Sequence, residues 1–355
     1  MNSEDSGIVQ IGRADHATAI DVAVIIVSYK TAQLSVRALK SLVGERSTPG
    51  LSLRAIVVDN ASGDLPLIRQ SVQDFGWSSW VALVEAPKNG GFAYGNNLGI
   101  RHAYETGTPS YVYILNPDTE VRPGAIGTLV QFLESNPRAG IAGGSFENAD
   151  GSPWMIAFRF PGLVSEFTGG LRLGIVSRML RRWEVARQMK GTDERVDWIC
   201  GAAMLIRPAV FETIGGMDEN YFLYFEETDF CRRAALAGFS TWYVPRSRVM
   251  HIAGQSTLVT ERNARPKRLP TYWFESRRRY FAVSFGIARA VIIDVVSVLA
   301  HCLGSIKQLL VRTPSGAAVP FYVRDLIRNS VLWPGNRGVG DPVAPKFAGQ
   351  GSRPS

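Results

Sequence analysis

Three carboxylates open one predicted helix and form the most chemically distinctive cluster in the chain. Glu226, Glu227 and Asp229 follow four aromatic residues in the run YFLYFEETDFCRRA. Acids at a helix start favour its dipole, and Asp229 can pair with an arginine three or four positions later. That structural interpretation leaves the adjacent glutamates unexplained. Neighbours on a helix point about 100° apart, so one of the pair can face a cavity whose apolar wall raises its pKa, as suits a general base.

A further carboxylate lies where a hydrophobic strand stops. In the run YILNPDTEV, Pro117 removes a backbone donor and forces a turn, which aims Asp118 beyond the strand end. A carboxylate at that place can hold a divalent cation, because Mg²⁺ takes one or two carboxylates together with phosphate oxygens. The commoner interpretation of such a residue, taken alone, is a turn aspartate that accepts local amide hydrogen bonds.

Three other polar segments follow predicted strands, and each has two interpretations. Asp59 and Asn60 form either an ordinary turn or, through Asp59, an acceptor for a nucleobase or ribose. The glycine-rich segment KNGGFAYGNNLGI can bring backbone N–H groups to a phosphate, but it matches neither G-x-G-x-x-G nor a Walker loop. His251 is either a structural histidine, the commoner case, or a metal ligand.

Strands alternate with helices through the first 150 residues, which predicts an open, mostly parallel α/β sheet. Ligands of such sheets bind beyond the carboxyl ends of the strands, where Ser28, Asp59 and Asp118 are expected. The predicted strands are 22–27, 55–58, 81–84, 111–115, 141–146 and 241–244, with one or two more inside 196–207. The predicted helices are 32–43 with Thr31 as cap, 95–105, 123–135, a short one from Pro208, and 226–237.

Size and composition fit a folded protein with one large domain and extensions, or two domains. The chain has 355 residues, 46% hydrophobic and 20% charged, which excludes wholesale disorder. Its three cysteines are widely spaced without a CxxC, which argues against a disulfide framework or a zinc site and fits a reducing cytosol. We expect a flexible leader over 1–20 without a signal peptide, and a disordered tail rich in Gly and Pro over 335–355.

Positive charge is concentrated towards the C-terminus. The net charge is +8, and the span 251–312 carries ten basic and three acidic residues. Such a span suits an anionic partner such as lipid head groups or a diphosphate. Nucleic acid is not expected, because the arginines lack an accompanying recognition motif.

Residues 273–312 predict an apolar helix with one polar stripe. Only seventeen residues separate Arg289 from Lys307, which is short for a membrane span. Two interpretations remain open. The helix packs on the domain or in a homodimer contact, or it lies in a membrane interface with Arg277–Arg279 on lipid phosphates. The polar stripe consists of Asp294, Ser297, His301, Ser305 and Gln308.

Six segments in a fixed order resemble the family 2 glycosyltransferases, in particular their bacterial rhamnosyltransferase-like branch. They are VIIVSYKT, VVDNASGD, NGGFAYGNNLGI, LNPDTEV, GAAMLIRPAVFETIGGMDENYFLYFEETDFCRRA and VMHIAGQST. The resemblance implies a GT-A fold over 21–260, with a nucleotide-binding half at 21–120 and an acceptor half at 121–260. A basic amphipathic helical extension would follow at 261–334.

The resemblance also implies an activity. Members of the family carry out inverting transfer of a sugar, here with rhamnose as a candidate, from a nucleoside diphosphate sugar that would be dTDP- or UDP-linked. The acceptor would be a hydroxyl of a glycan or of a polyprenyl-diphosphate-linked molecule in cell-envelope polysaccharide synthesis. The implied cofactor is Mg²⁺ or Mn²⁺, and the implied location is cytoplasmic, on the inner face of the plasma membrane.

The family's site residues map onto this chain by their motifs. Glu227, as the second acid of its pair, corresponds to the general base. Asp118 is the metal ligand, and His251 is a second ligand because Asn116 stands where the family often has the first aspartate of Asp-x-Asp. Asp59 corresponds to the base- or ribose-binding aspartate. The remaining donor-region residues are Tyr29, Asn89, Gly91 and Asn97, with Gly201 and Ala202 near the sugar and acceptor.

Two rival functions remain open on the sequence. A sugar-nucleotide-binding protein without catalysis would keep the fold, although the intact glutamate pair and His251 argue against it. A nicotinamide-dependent oxidoreductase would need a glycine fingerprint after the first strand, where VSYKT stands instead.

Overall fold

The computed structural model of the protein describes residues 19–148, 150–154, 157–171, 180–251, 266–311 and 319–347. The strands are β1 (Ile20–Ser28), β2 (Leu51–Asp59), β3 (Val81–Glu85), β4 (Tyr111–Leu115), β5 (Thr119–Val121), β6 (Ala139–Glu147), β7 (Pro153–Trp154), β8 (Ala157–Phe158), β9 (Glu194–Val196), β10 (Trp198–Ile199), β11 (Ala203–Ile206) and β12 (Ser240–His251). The helices are α1 (Ala32–Glu45), α2 (Leu65–Asp74), α3 (Gly91–Thr106), α4 (Ala125–Ser135), α5 (Leu163–Leu171), α6 (Pro208–Ile214), α7 (Glu226–Leu236), α8 (Thr271–Phe285), α9 (Ile287–Val311) and α10 (Tyr322–Asn329).

One mixed sheet forms the centre of the described structure. Its main order is β3-β2-β1-β4-β11-β6-β12-β5, and β1 to β4 are mutually parallel where they pair. Strands β11 and β5 run antiparallel to their neighbours. The apolar runs of β1 and β4 are buried because helices cover the sheet, as parallel strands require. The predicted open, mostly parallel sheet is confirmed.

Long-range contacts set several element boundaries that the sequence places differently. The sequence ends the last strand at Val244, but β12 continues to His251 because it pairs with β6 and then with β5. Helix α4 begins at Ala125 rather than at Pro123, and the Glu45 carboxylate of α1 accepts the Ile126 N–H at 2.9 Å. Thr31 occupies the cap position of α1, but its side chain makes no capping bond.

The loop 221–225, which leads into α7, is held against α3 by a backbone contact. The Phe92 N–H donates to the Phe222 carbonyl at 2.9 Å. Gly91 has φ of +87°, and a Cβ there would lie 1.9 Å from the same carbonyl oxygen. Tyr224 and Phe225 also have positive φ, so the loop is strained where it enters the helix. Helix α3 therefore starts at Gly91, four residues earlier than the sequence predicts.

Helices α8, α9 and α10 form a layer joined to the domain by buried arginines. Arg277 is 1% exposed and donates to Glu166 at 2.6 Å and to Asp294 at 2.5 Å. Arg279 donates to Asp218 at 2.7 Å. Arg277 and Arg279 thus form internal ion pairs, and Arg278 donates to a backbone carbonyl. The expectation that Arg277–Arg279 meet lipid phosphates is therefore wrong.

The segment after Gly335 also differs from its prediction. Residues 335–347, expected to be disordered, lie along the domain, and Phe347 is only 6% exposed. Its ring packs on Tyr104 at a centroid distance of 5.6 Å, and Pro345 accepts a hydrogen bond from the Gly216 N–H. The predicted leader over 1–20 falls almost wholly outside the described residues, as do residues 348–355.

The contact between Gly91 and Phe222 predicts a stability difference between two glycine substitutions. Gly63 has φ of +81° and open space around its Cβ position, so Gly63→Ala should cost only the strain of a left-handed residue, about 1–2 kcal/mol. Gly91→Ala should cost about 1–3 kcal/mol more, because the methyl group collides with a backbone carbonyl. Urea denaturation of both variants measures this, and equal losses would contradict the contact.

The buried arginine predicts a second stability effect. Arg277→Ala leaves Asp294 buried without its cation, and removing one partner of a buried pair costs about 3–5 kcal/mol. Arg278→Ala, which removes a bond to a backbone carbonyl, should cost about 1 kcal/mol. Unfolding midpoints that rank the two variants in the opposite order would show that Arg277 is not buried in this ion pair.

Candidate active site

Asp118 and His251 are brought together by the pairing of two strands. After β4 the chain turns through Pro117 and enters β5, and β5 pairs with the end of β12, where His251 lies opposite Thr119. The His251 Nε2 is 3.3 Å from the Asp118 Oδ1. Both side chains are buried, at 8% and 5% exposure. A carboxylate oxygen and an imidazole nitrogen thus face each other beyond the end of the central strand.

Asn116 adds a third polar group at the same turn. Its backbone N–H donates to the Ala202 carbonyl at 2.9 Å, which fixes the turn against the segment before β11. Its Oδ1 is shielded from solvent and has no hydrogen-bond partner among the described residues. A buried acceptor without a donor costs free energy unless a ligand or a cation satisfies it. The donor set of one carboxylate, one imidazole and one amide oxygen suits a divalent metal ion.

At the start of α7, Glu226 is buried and Glu227 is partly buried. Glu226 is 2% exposed, and the Oε2 atoms of both glutamates have no partner among the described residues. Burial raises the pKa of Glu226 well above its usual value, and the charge of Glu227 raises it further. Burial also raises the pKa of Glu227, while backbone N–H groups, including that of Gly201, act in the opposite direction. Both carboxyl groups therefore hold a proton more tightly than an exposed glutamate does.

Cys200 lies near enough to Asp118 and to the glutamate pair for their charges to act on its thiol. Burial raises the pKa of its thiol to about 12, and the carboxylates of Glu227, Asp118 and Glu226 add to the increase. All three carboxylates therefore lie within electrostatic reach of one sulfur. The adjacent Gly201 packs against the first side-chain atom of Glu227, since a Cβ at Gly201 would be 3.6 Å from the Glu227 Cβ.

Asp229 has a structural partner, as one interpretation of the sequence predicts. Its Oδ2 accepts from the Arg233 Nε at 2.7 Å, one helical turn later. Arg233 also donates to the carbonyls of Ile214 and Gly216. The predicted ion pair is confirmed, and it joins α7 to the segment after α6. This carboxylate is committed to holding the helix that carries the glutamate pair.

Both carboxylate oxygens of Asp59 accept hydrogen bonds from residues of its own loop. It is 1% exposed, and its two oxygens accept hydrogen bonds from the Ser62 N–H and hydroxyl and from the N–H groups of Gly63 and Leu65. These four bonds fill the capacity of a carboxylate. The turn interpretation is thus satisfied in this structure, and the expectation that Asp59 accepts hydrogen bonds from a base or ribose stays a prediction.

The glycine-rich segment is likewise occupied by internal contacts. Asn97 is fully buried, with its Nδ2 donating to the Met217 carbonyl at 2.8 Å and its Oδ1 accepting the Met217 N–H at 3.0 Å. Asn89 accepts from the Asn60 Nδ2 at 3.0 Å and from the Gly91 N–H at 3.1 Å. These contacts explain why the segment is rich in asparagine and glycine without invoking a phosphate.

Of the other predicted donor-region residues, two lie at the carboxylate cluster and one lies at the surface. Gly201 and Ala202 are buried. The Gly201 N–H donates to the Glu227 carboxylate, and the Ala202 carbonyl accepts the Asn116 N–H. Tyr29 follows β1 and is 36% exposed. Its position at a strand end leaves it available to a ligand.

Sequence reasoning misses two members of the site. The sequence treats Asn116 only as a missing carboxylate, although its amide oxygen remains an acceptor. It weighs Cys200 only for disulfides and a zinc site, although its place directly before Gly201 and Ala202 puts it near the acids. Among the described residues, no group of three or more His, Cys, Asp and Glu side chains is arranged to hold a metal ion, so additional ligands would have to come from elsewhere.

Comparison with known proteins identifies the family. Residues 19–269 match the family described as glycosyltransferase like family 2. The chain is 32% identical over 159 residues to the N-acetylglucosaminyl-diphospho-decaprenol L-rhamnosyltransferase of Mycobacterium tuberculosis, covering 44% of this chain and 51% of that protein. It is 30% identical over 166 residues to the rhamnosyltransferase WbbL of Escherichia coli, covering 46% and 61%. The matches thus span about half to three fifths of these relatives.

Among solved structures, the mannosyltransferase PcManGT of Pyrobaculum calidifontis, in complex with GDP-Man and Mn²⁺, superposes with a TM-score of 0.49 at 15% identity. That match covers 89% of this chain and 81% of the mannosyltransferase. The family match extends over well more than half of the chain and includes both the Asp118 turn and the glutamate pair. The chain therefore belongs to the glycosyltransferase family 2, and its central, mostly parallel sheet flanked by helices is the α/β arrangement expected of that family.

Proposed function

We propose that this protein is an inverting glycosyltransferase that moves a sugar from a nucleoside diphosphate sugar to an acceptor hydroxyl. The observation that carries the proposal is that one short segment contacts both the glutamate pair and the Asp118 turn. A Cβ at Gly201 would lie 3.6 Å from the Glu227 Cβ, and the Ala202 carbonyl accepts the Asn116 N–H at 2.9 Å, two residues before Asp118. Transfer to a hydroxyl needs a base for the acceptor and charge neutralisation for the leaving diphosphate. The two halves of this cluster supply those two requirements separately.

Glu227 is the general base in this proposal. Its carboxylate takes the proton of the acceptor hydroxyl as the acceptor oxygen forms a bond to the anomeric carbon. The bond from that carbon to the diphosphate breaks on the opposite face, so the configuration inverts. Glu226 keeps its proton, since two adjacent buried carboxylates do not both ionise readily. Base catalysis of this kind contributes roughly 10²- to 10⁴-fold.

Asp118 and His251 would hold a Mg²⁺ or Mn²⁺ ion, and the Asn116 amide oxygen, which has no partner among the described residues, is a further candidate ligand. The donor set fits because Mg²⁺ is usually bound by one or two protein ligands and completed by phosphate oxygens and water. When bound, the ion neutralises charge on the departing diphosphate. Asp229 takes no catalytic part in this proposal, because its carboxylate is paired with Arg233.

The relatives suggest the substrates. The names of both curated relatives specify rhamnosyl transfer, and one specifies a diphospho-decaprenol acceptor. We therefore propose rhamnose from a dTDP- or UDP-linked donor and a polyprenyl-diphosphate-linked glycan as acceptor, in cell-envelope polysaccharide synthesis. The reaction would take place on the cytoplasmic side of the plasma membrane, where nucleotide sugars and the lipid-linked acceptor meet.

Replacing the proposed base should separate binding from turnover. Glu227→Gln keeps the shape of the side chain but removes the base, so turnover should fall by roughly 10²- to 10⁴-fold while nucleotide binding stays within about twofold. In the wild type, kcat/KM should rise with pH through a pKa above the ordinary carboxyl range, since burial raises the pKa of Glu227 and the base works ionised.

The control is Glu275→Gln, which changes an exposed glutamate on α8 and should leave both quantities unaltered. Calorimetric titration with dTDP and UDP, alongside steady-state kinetics, gives the two readouts. Wild-type turnover in Glu227→Gln would remove the residue from the role of base. Binding of nucleotide without any turnover in the wild type would favour a sugar-nucleotide-binding protein.

The metal proposal predicts a loss of metal-linked nucleotide affinity. Adding Mn²⁺ should tighten binding of dTDP or UDP to the wild type, because Asp118 and His251 would hold the ion and its charge would attract the diphosphate. In Asp118→Asn and in His251→Ala, the increase in nucleotide affinity that Mn²⁺ produces should be about tenfold or more smaller than in the wild type. Asp74→Asn, on the exposed side of α2, is the matched control. An unchanged Mn²⁺ effect in Asp118→Asn would place the cation elsewhere.

A further inference from the structure

Helix α9 has its polar side chains turned inward and its large apolar side chains turned outward. Asp294 is 1% exposed and Ser297 is fully buried, so the predicted polar stripe packs on protein over these positions. On the opposite side, apolar side chains recur at three- and four-residue steps over roughly 21 Å of helix. This outer stripe consists of Ile292, Val295, Leu299, Leu303 and Ile306, which are 40–57% exposed.

Helix α5 lies beside α9 and extends the same surface. The two helices approach closely at small residues, since a Cβ at Gly304 would lie 2.3 Å from the Gly170 carbonyl oxygen. Leu163 and Phe167, one turn apart on α5, are 42% and 36% exposed. An apolar cleft of about 290 Å³ opens between the helices. Its lining consists of Leu163, Phe285, Arg289, Ile292 and Ile293.

We propose that this two-helix face, made of the outer stripe with Leu163 and Phe167, docks into the surface of an anionic lipid bilayer. The helix lies in the interface and does not cross it. By length and composition, Ile287–Lys307 could span a membrane, with 33% of its most apolar window buried. A lipid-surrounded helix would, however, expose the ion pair of Arg277 with Asp294 to hydrocarbon, at a large cost in free energy.

Charge on this face favours anionic lipid over a second copy of the chain. The acids of α5 and α9 in the described residues are Glu166, which accepts from Arg277 and Ser297, and the buried Asp294. Arg289 is exposed beside the first turn of the outer stripe. A two-fold pairing through the stripe would press Arg289 against the Ile306 end of the other copy, where no carboxylate of either helix is exposed. Lipid phosphates supply that missing counter-charge.

The two-helix face is joined to the glutamate pair through helix α8. Helix α8 leads directly into α9, and the Ser276 hydroxyl of α8 donates to the Leu223 carbonyl at 2.9 Å, three residues before Glu226. Docking would hold the glutamate-bearing end of α7 at a fixed height above the bilayer. The two-helix face is separate from the carboxylate cluster, and its docking does not depend on the chemistry proposed there.

Cys302 provides a native reporter for this surface. It is exposed and lies between Leu299 and Ile306, whereas Cys231 is buried and Cys200 is only partly exposed. An environment-sensitive maleimide dye on Cys302 should shift its emission to the blue on addition of vesicles containing phosphatidylglycerol, and less so with phosphatidylcholine alone. Cys302→Ser, treated with the same dye, gives the background from the other thiols.

Vesicle co-sedimentation of variants completes the test. Leu299→Glu with Leu303→Glu should lower partition onto anionic vesicles by about tenfold or more, because two exposed leucines no longer enter the bilayer. Leu236→Glu changes a leucine that is 76% exposed on α7 and should partition like the wild type. Nucleotide binding to the double variant, measured without vesicles, should stay unchanged, which separates a failure of docking from a failure of the active site.

Two outcomes would overturn the inference. Equal vesicle partition of the double variant and the wild type would show that this face does not meet lipid. A blue shift that grows with protein concentration in the absence of vesicles, together with a dimer mass by light scattering that the double variant loses, would assign the face to a second copy of the chain.

Discussion

The backbone hydrogen bond from Phe92 to the Phe222 carbonyl is the contact on which the candidate site depends. It fixes the loop 221–225 on the start of α3, and Gly91 is required there because a side chain would occupy the position of that carbonyl. The same loop enters α7 through two residues with positive φ. Strain of this kind persists where surrounding contacts determine it, and here it places the glutamate pair at a buried helix start.

The C-terminal layer supports the same loop from the other side. Ser276 holds the Leu223 carbonyl, while Arg277 and Arg279 convert what looks in the sequence like a basic surface into buried connections to Glu166, Asp294 and Asp218. Burying these cations consumes the charge that would otherwise attract anions. The outer side of α9 exposes the apolar stripe with Arg289 at one end, a composition that suits a helix lying in a membrane interface.

The parts of the fold that follow from local pattern could be predicted from the sequence. The apolar runs of β1 and β4 and the polar residues at their ends carry their own signal. The length of β12 could not be predicted, because it depends on pairing with β5 and β6. Asp59 and Asn97 look like ligand-binding residues in sequence, because a residue type does not show whether its side chain already has hydrogen-bond partners. Asp59 finds its partners inside its own loop and Asn97 finds them at Met217, far along the chain, and only the folded structure shows both.

Anomalous diffraction from Mn²⁺ in crystals grown with dTDP or UDP is the most direct measurement of whether Asp118, His251 and Glu227 form one reaction centre. The arrangement described here predicts a single manganese peak within about 2.5 Å of an Asp118 oxygen and of the His251 Nε2, with the Glu227 carboxylate facing the same cleft. A peak bound elsewhere, or a Glu227 side chain directed away from the diphosphate, would contradict it.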